Sequence, residues 1–208
     1  MNQLFPSSQF ETCGSFAQSY FETLYQASRT IDVSKLEELA DTLGTVIASD
    51  GFIFICGNGG SAAIANHSLC DFLKCVRTDT GLTPRLMSLS AHSELISALA
   101  NDISYDEAFA YQIESMARQN DFLLTISSSG DSQNVVRAIE TAKQVGMKTA
   151  SFTGFGGGRS REMADINVHV DAQNYGVVED IHMSFIHIVT QFLRMKNMDN
   201  ALIGQRKF

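Results

Sequence analysis

The stretch "FIFICGNGGSAAIANHSLCD", residues 52–71, joins a short apolar run to a glycine-rich turn and then to a helical segment. This succession is typical of the strand–turn–helix unit of an α/β protein. Glycines at 57, 59 and 60 let the backbone turn sharply and approach a ligand. Ser61 is expected to cap the following helix, whose free N–H groups can bind an anion.

The same alternation of apolar runs and helical stretches continues along the chain. Five strands are predicted at 52–56, 85–89, 122–127, 148–154 and 166–170. Helices are predicted at 15–29, 33–48, 61–75, 92–100, 106–118, 132–146, 158–164 and 177–195. Because helices and not hairpin turns separate the strands, the strands should be parallel. We therefore expect a doubly wound α/β fold with a five-stranded parallel sheet flanked by helices, and ligands at the carboxyl edge of the strands.

Length and composition favour a single domain over the whole chain, 1–208. A chain of 208 residues with 44% hydrophobic content can bury one sizeable core, and no linker or repeat divides it. We divide this domain into an N-terminal helical pair at 1–50 that mediates oligomerisation, an α/β core at 51–196 and a polar tail at 197–208.

Charge and cysteine content exclude several classes of partner and location. A net charge of −8 without a basic cluster argues against nucleic-acid binding. No apolar run approaches the ~20 residues that a membrane span needs. The four cysteines form no CxxC pair, and the start "MNQLFPSSQF" lacks a secretion signal, so we expect a cytoplasmic protein. Cys56 and Cys70 are expected to be buried thiols and not nucleophiles.

A second polar turn follows the third predicted strand, in "ISSSGDSQNVVRAIETAK" at 126–143. Three consecutive hydroxyls, a glycine and Ser132 precede an amphipathic helix, an arrangement that suits a phosphate. Each glycine-rich or serine-rich turn alone is also compatible with an ordinary loop. Two such turns on neighbouring strands favour one phosphorylated ligand across the sheet edge. The dinucleotide fingerprint and the Walker lysine are both absent, so no nucleotide cofactor is expected.

The order of five motifs resembles the SIS (sugar isomerase) domain family, and within it the phosphoheptose isomerases. The motifs are "GNGGSAA" at 57–63, "AND" at 100–102, "ISSSGDSQNVVRAIETAK" at 126–143, "TGFGGG" at 153–158 and "EDIHMSFIHI" at 179–188. The resemblance covers nearly the whole chain. It implies a homotetramer with active sites between subunits and a phosphorylated sugar as substrate.

The resemblance also assigns substrate contacts. Family serines that hold the phosphate match Ser61, Ser127, Ser129 and Ser132, while Asn58 and Asp102 match residues that contact the sugar chain. With the remaining groups of the two turns and a carboxylate from the last helix, the predicted substrate-binding residues are Asn58, Gly59, Gly60, Ser61, Asp102, Ser127, Ser128, Ser129, Ser132 and Glu179.

A His and a carboxylate four residues apart, His67 and Asp71, lie on one face of the third predicted helix. In the resembling isomerases His67 matches a metal ligand, and the position of Asp71 holds a glutamate that serves as base. His187 falls at the family's catalytic histidine and Glu179 at a glutamine. We predict Asp71 and His187 as catalytic residues, with Asp180 and His182 in reserve.

The candidate ligands of a zinc or other divalent ion are His67, Asp71, Glu179 and His187, a mixed N/O set. Eight residues along a helix span about 12 Å, so Glu179 and His187 share one ion only if the helix start is distorted. A division of these residues between catalysis and metal binding is the alternative.

Two arginines of the resembling isomerases are missing. Cys75 and Val177 occupy their positions, and Lys74 or Arg77 is the candidate replacement for the first. Arginine forms a fork-like pair of hydrogen bonds that neither Cys nor Val can replace, so sugar binding should differ in detail.

Two functional hypotheses follow. The first is a phosphosugar aldose–ketose isomerase, which acts on sedoheptulose 7-phosphate through an enediolate with carboxylate and His acid–base catalysis. The second is a non-catalytic SIS module that binds a sugar phosphate or a protein partner. A pure binding module has no reason to keep a His and carboxylate cluster beside a phosphate site, which favours the isomerase.

Overall fold

The computed structural model describes residues 4–208. Its strands are β1 (Phe52–Gly57), β2 (Arg85–Ser88), β3 (Phe122–Ser127), β4 (Lys148–Thr153) and β5 (Ile166–His169). Its α-helices are α1 (Cys13–Ser28), α2 (Val33–Ala48), α3 (Gly60–Cys70), α4 (Ser93–Asp102), α5 (Ala110–Met116), α6 (Gln133–Val145), α7 (Gly158–Met163), α8 (Tyr175–Asn197) and α9 (Asn200–Ile203). No helix in this described part of the chain is both long and apolar enough to cross a bilayer.

The five strands form one parallel sheet in the order β2-β1-β3-β4-β5, which confirms the predicted fold class. Strand order reverses between β1 and β3, because β2 lies on one side of β1 and the later strands lie on the other. Gly57 pairs with Ile126 at the carboxyl end of these two strands. The turns that follow β1 and β3 therefore flank one crevice, the usual ligand position in such a sheet.

Both faces of the sheet are buried, as the apolar strand sequences require. Alternate residues of β3 enter different cores because side chains along a strand point to opposite faces. Leu124 packs in a core with Leu39 of α2 and Phe185 of α8. Leu123 packs in a second core with Ile139 of α6. The helical pair α1 and α2 contacts α8 and so completes the first layer.

Two helical predictions were wrong in detail. The segment predicted as one helix over 61–75 is α3 followed by a π-helix at Asp71–Val76, and the segment at 106–118 is a short 3-10 turn at Tyr105–Glu107 followed by α5. Helix α3 begins at Gly60, and its N-cap is Gly59 with a φ of +54°. Ser61 therefore lies inside the first turn and is not the cap. Only the backbone of glycine reaches that left-handed conformation at low cost.

Gly130 in the turn after β3 should tolerate no side chain. Its φ is +68°, and a Cβ there would overlap with the backbone carbonyl of Gly157. We expect Gly130→Ala to lower the free energy of unfolding by about 3 kcal/mol, because the backbone is strained and the turn at 154–158 must move. Urea unfolding measures the change. Gly156→Ala is the matched control, since nothing lies within 4 Å of its Cβ position. Equal stability of the two variants would contradict this account of the turn.

Candidate active site

The two polar turns are joined across the crevice by paired amides. Asn58 Nδ2 donates to Asn134 Oδ1 at 2.8 Å, and Asn134 Nδ2 donates back to Asn58 Oδ1 at 3.0 Å. The Tyr105 hydroxyl donates to the same Asn58 oxygen at 2.8 Å. These bonds occupy Asn58 Oδ1 and leave one N–H of its amide for a ligand. The turns thus lie at the same edge of the sheet, as predicted.

Both helices that start at this crevice lack a side-chain cap. Gly59 has no side chain, and the hydroxyl of Ser132, the N-cap of α6, makes no capping bond. Thr12, Asp32 and Asn174 cap α1, α2 and α8 with side-chain acceptors, whereas α4, α5 and α7 also lack a side-chain cap. Uncapped first-turn N–H groups and the helix dipole together favour an anion. The crevice is therefore a candidate phosphate site.

The hydroxyl oxygens of the serines in the second turn differ in their hydrogen-bond partners. Ser127 Oγ accepts from the Gly130 N–H at 3.1 Å, and Ser129 Oγ accepts from the Asp131 N–H at 3.3 Å. Ser128 Oγ is buried without a hydrogen-bond partner among the described residues. An accepting hydroxyl still has its O–H to donate, so Ser127 and Ser129 can both shape the turn and donate to a phosphate.

Arg159, in the first turn of α7, holds the second turn from outside. Its Nε donates to Asp131 Oδ1 at 2.5 Å, and its two amino groups donate to the Asp131 carbonyl and to Gln133 Oε1 at 3.0 and 2.9 Å. Hydrogen bonding to Arg159 lowers the pKa of Asp131. The pair fixes the turn and offsets the carboxylate charge that would oppose a bound phosphate. Arg159 was not predictable from the sequence, because no spacing rule connects 131 to 159.

A cluster of three titratable side chains lies where α3 ends. The Nε2 atoms of His67 and His187 are 3.0 Å apart, and Asp71 Oδ2 lies 3.3 Å from the first and 3.6 Å from the second. His67 and Asp71 are one turn apart on the same helical face, and His187 comes from α8. A cleft of about 270 Å³ lined by Lys74, Cys75, Thr190 and Phe208, among others, opens beside them.

The cluster fits a divalent metal ion. Ligand atoms of a tetrahedral zinc site with bonds of about 2.0–2.1 Å lie about 3.3 Å apart, close to the three observed separations. The carboxylate oxygen Oδ2 of Asp71 is buried and accepts no hydrogen bond from the described residues. A buried carboxylate oxygen without a partner is costly unless a cation or a protonated group compensates it. Three protein ligands with one open position are typical of a catalytic site.

The chain is similar to a family of known proteins. The SIS domain family model matches residues 15–154, which is more than half of the chain. The chain belongs to the SIS domain family. The resemblance recognised in the sequence motifs is thereby confirmed, and with it the SIS fold.

Relatives of this SIS protein are phosphoheptose isomerases. The phosphoheptose isomerase of Mycobacterium bovis is 34% identical over 90% of this chain and 95% of its own length. That of Desulfovibrio desulfuricans is 35% identical over 82% of this chain and 79% of its own length. Among solved structures, phosphoheptose isomerase GmhA from Neisseria gonorrhoeae superposes with a TM-score of 0.80 at 26% identity, covering 88% of this chain and 99% of that one.

The structure of the SIS protein does not bring Glu179 into the cluster of His67, Asp71 and His187. Glu179 lies within the regular part of α8, and its carboxylate packs against Gly60 at the start of α3, where an added Cβ would overlap with it. Burial, reinforced by the neighbouring Asp180, raises the pKa of Glu179. The helix start is not distorted, so the condition for sharing an ion with His187 is not met. Glu179 lies instead at the start of α3, beside the crevice that is a candidate phosphate site.

The two reserve candidates lie away from the cluster. Asp180 accepts a hydrogen bond of 2.6 Å from the Tyr20 hydroxyl and so ties α8 to α1. His182 is fully buried against Phe152 and Phe185. Burial lowers the pKa of His182 to about 4, although the backbone of nearby Thr153 favours the charged form. The imidazole is therefore neutral at pH 7 and belongs to the core.

The remaining candidates have mixed outcomes. Asp102 is exposed at the end of α4 and accepts from Asn101 Nδ2 at 2.6 Å. Val177 is completely buried, so the SIS protein has no room for an arginine there. Lys74 lines the cleft, whereas Arg77 is exposed and does not line it. Cys56 is buried as expected, but the prediction for Cys70 was wrong, because its thiol is exposed on the cleft side of α3.

Proposed function

We propose that this chain is a phosphosugar aldose–ketose isomerase that converts sedoheptulose 7-phosphate to a heptose 7-phosphate. The observation that carries the proposal is the His67–Asp71–His187 cluster at the opposite end of the helix that begins at the anion crevice. The names of the relatives, phosphoheptose isomerases at 34–35% identity, support the same substrate class.

The proposed substrate lies along α3. The seven helical steps from Gly60 to His67 span about 10 Å, comparable to the reach of an extended seven-carbon sugar phosphate. The phosphate binds at the two uncapped helix N-termini and the carbonyl end lies beside the cluster. The proposed binding residues are those predicted from the sequence: Asn58, Gly59, Gly60, Ser61, Asp102, Ser127, Ser128, Ser129, Ser132 and Glu179.

The proposed chemistry moves protons and needs no other reactant. Asp71 takes a proton from C1, which is next to the C2 carbonyl of the ketose, and returns it to C2 of the enediolate. His187 moves the hydroxyl proton from O1 to O2. The product aldose has the same atoms and charge as the substrate. The Asp71 side chain is one methylene shorter than the family's glutamate, so the substrate must approach α3 more closely.

A divalent ion, with zinc as our choice, is proposed to bind to His67 Nε2, Asp71 Oδ2 and His187 Nε2, the atoms that lie together in the cluster. Asp71 Oδ1 and the Nδ1–H of His187 are then the groups left for the proton transfers. When bound, it would polarise the carbonyl and stabilise negative charge on the oxygens. Glu179 is left out of this proposed ligand set because its carboxylate packs at the other end of α3.

The zinc proposal predicts about one ion per chain after dialysis against zinc and removal of excess metal. His67→Ala should weaken zinc affinity by about 100-fold or more, because one of three ligands is lost. Elemental analysis and competition with a chromogenic chelator measure both quantities. His92→Ala is the matched control, since His92 is exposed and paired with Glu94 at 3.5 Å. Equal zinc content and affinity in the wild type and both variants would refute the assignment.

We also propose a homotetramer. A groove of about 500 Å³ between α2 and α8 is lined mainly by apolar side chains, and Phe192 and Ile188 on α8 are exposed. Phe21 and Tyr25 on α1 leave a second apolar surface open. Exposed apolar faces of this extent are typical of protein interfaces.

The tetramer proposal predicts a mass of four chains in light scattering. Ile188→Asp with Phe192→Asp should dissociate it, because buried charges without partners oppose association. Tyr111→Asp, on the exposed face of α5, is the control and should leave the mass unchanged. A stable wild-type monomer at dilute concentration would contradict the proposal.

The domain organisation and the cellular location of the chain are also proposals. We propose one SIS domain over 1–208, because α1, α2 and the tail all pack against elements of the α/β core. We propose a cytoplasmic location, supported by four free cysteines.

The experiment for the isomerase proposal is an NMR assay of aldose formation from C5, C6 and C7 ketose phosphates with the metal-loaded protein. We expect aldose formation from these substrates, with the highest rate for the C7 ketose phosphate. Binding of a sugar phosphate without turnover of any ketose would refute it and support the non-catalytic SIS module.

A further inference from the structure

Phe208 lines the same cleft as His67, Asp71 and His187, although it comes from a different segment of the chain. It belongs to the C-terminal tail, which begins at 198 and not at 197 as predicted, because α8 extends to Asn197. Met198 forms an isolated antiparallel β-bridge with Thr80, so the tail is also attached where it begins. The tail therefore returns over the segment that follows the π-helix and ends at the cleft.

A buried arginine anchors the end of this tail. Arg194 is only 2% exposed. Its guanidinium donates to the carbonyls of Thr78 and Lys207 at 3.1 and 2.9 Å and to Asp79 Oδ2 at 2.9 Å. The ring of Phe208 lies 4.8 Å from the guanidinium carbon, within the range of a cation–π contact. Arg206 adds a second cation 3.4 Å from the same Asp79 oxygen.

The buried guanidinium of Arg194 is compensated by its hydrogen-bond acceptors. Burying a guanidinium costs much solvation energy, and the cost is offset only when its N–H groups have well-placed acceptors. Here each of its three nitrogens donates a hydrogen bond, and one acceptor is the residue immediately before Phe208. Phe208 as a whole is 45% exposed, so the contact with Arg194 leaves much of this cleft-lining residue accessible.

We propose that Phe208 is a substrate-positioning residue, whose ring forms an apolar wall of the cleft and restricts water near the reacting carbons. The inference rests on the proposed isomerase function. An enediolate exchanges its transferred proton with water when water reaches the base, so a wall in the cleft that Asp71 also lines slows this exchange and orients the carbonyl end of the sugar.

The first test compares Phe208→Ala, Phe208→Leu and Gln205→Ala in deuterated water. Phe208→Ala should lower kcat/KM by about tenfold and raise the deuterium incorporated per product formed, because positioning and water exclusion are both lost. Phe208→Leu keeps an apolar side chain, so its kcat/KM and its deuterium incorporation should both be close to those of the wild type. Gln205→Ala changes an exposed residue of the same tail and should match the wild type. Unchanged deuterium incorporation in Phe208→Ala would overturn the inference.

A second test needs no turnover. Cys75 is half-buried in the cleft, whereas Cys13 is exposed on α1. Phe208→Ala should speed iodoacetamide alkylation of Cys75 by about fivefold, measured by peptide mass spectrometry, with Cys13 as the internal reference, since thiol access limits the reaction. An unchanged alkylation rate of Cys75 would contradict the inference that Phe208 forms a wall of the cleft. If the wild type isomerises no ketose phosphate, the proposed function and the positioning role fail together, and the alkylation rate decides whether Phe208 closes the cleft.

Discussion

Asp71→Asn is expected to lower kcat for sedoheptulose 7-phosphate by about a hundredfold or more while leaving phosphate binding nearly unchanged. The amide keeps the shape of the side chain but cannot accept the C1 proton. The anion crevice lies at the other end of α3, so loss of the carboxylate should not disturb it. Steady-state kinetics and calorimetric binding of inorganic phosphate measure the two effects.

Asp50→Asn is the matched control for this variant. Asp50 lies at the opposite, amino-terminal edge of the sheet, is exposed and pairs with Arg85 at 3.0 Å. Its φ of +59° is a conformation that asparagine also adopts readily. Asp50→Asn should retain full activity. If Asp71→Asn retained it as well, Asp71 would not be the base.

His187→Ala is expected to reduce kcat by a similar factor, about a hundredfold, because it removes the group that transfers the proton between O1 and O2 and also one proposed metal ligand. The side chain is 44% exposed, so its loss should change the unfolding temperature little. Kinetics with added zinc separate the two roles, since excess metal can restore binding but not the imidazole. His92→Ala provides the control. Full activity in a folded His187→Ala protein would contradict the assignment.

The fold was predictable because hydrophobic period and turn chemistry agree along this chain. The apolar runs at 52–56 and 122–127 end in glycine and serine turns, and the structure has β1 and β3 at those places. The π-helix at Asp71–Val76 was not predictable, because its residues carry ordinary helical periodicity and only tertiary packing selects the wider turn. The start of α3 at Gly60 was missed because Ser61 is the better capping residue by type.

The site was predictable where function depends on local spacing. His67 and Asp71 are one helical turn apart, whereas His187 was assigned only by the resemblance of the motif at 179–188 to the phosphoheptose isomerases; together they predict the three residues that the structure brings together. The position of Glu179 depends on where α8 begins relative to α3, which spacing does not give. Arg159 and Phe208 reach the site through long-range contacts from segments without a recognisable motif.

The central claim is enediolate chemistry at the end of α3, and solvent exchange tests it most directly. Sedoheptulose 7-phosphate and the metal-loaded protein are incubated in deuterated water, and NMR follows the carbon next to the carbonyl. The account predicts that deuterium enters at that carbon with the wild type, and at least about a hundredfold more slowly with Asp71→Asn. Absence of both exchange and aldose product with folded, metal-loaded wild-type protein would contradict it.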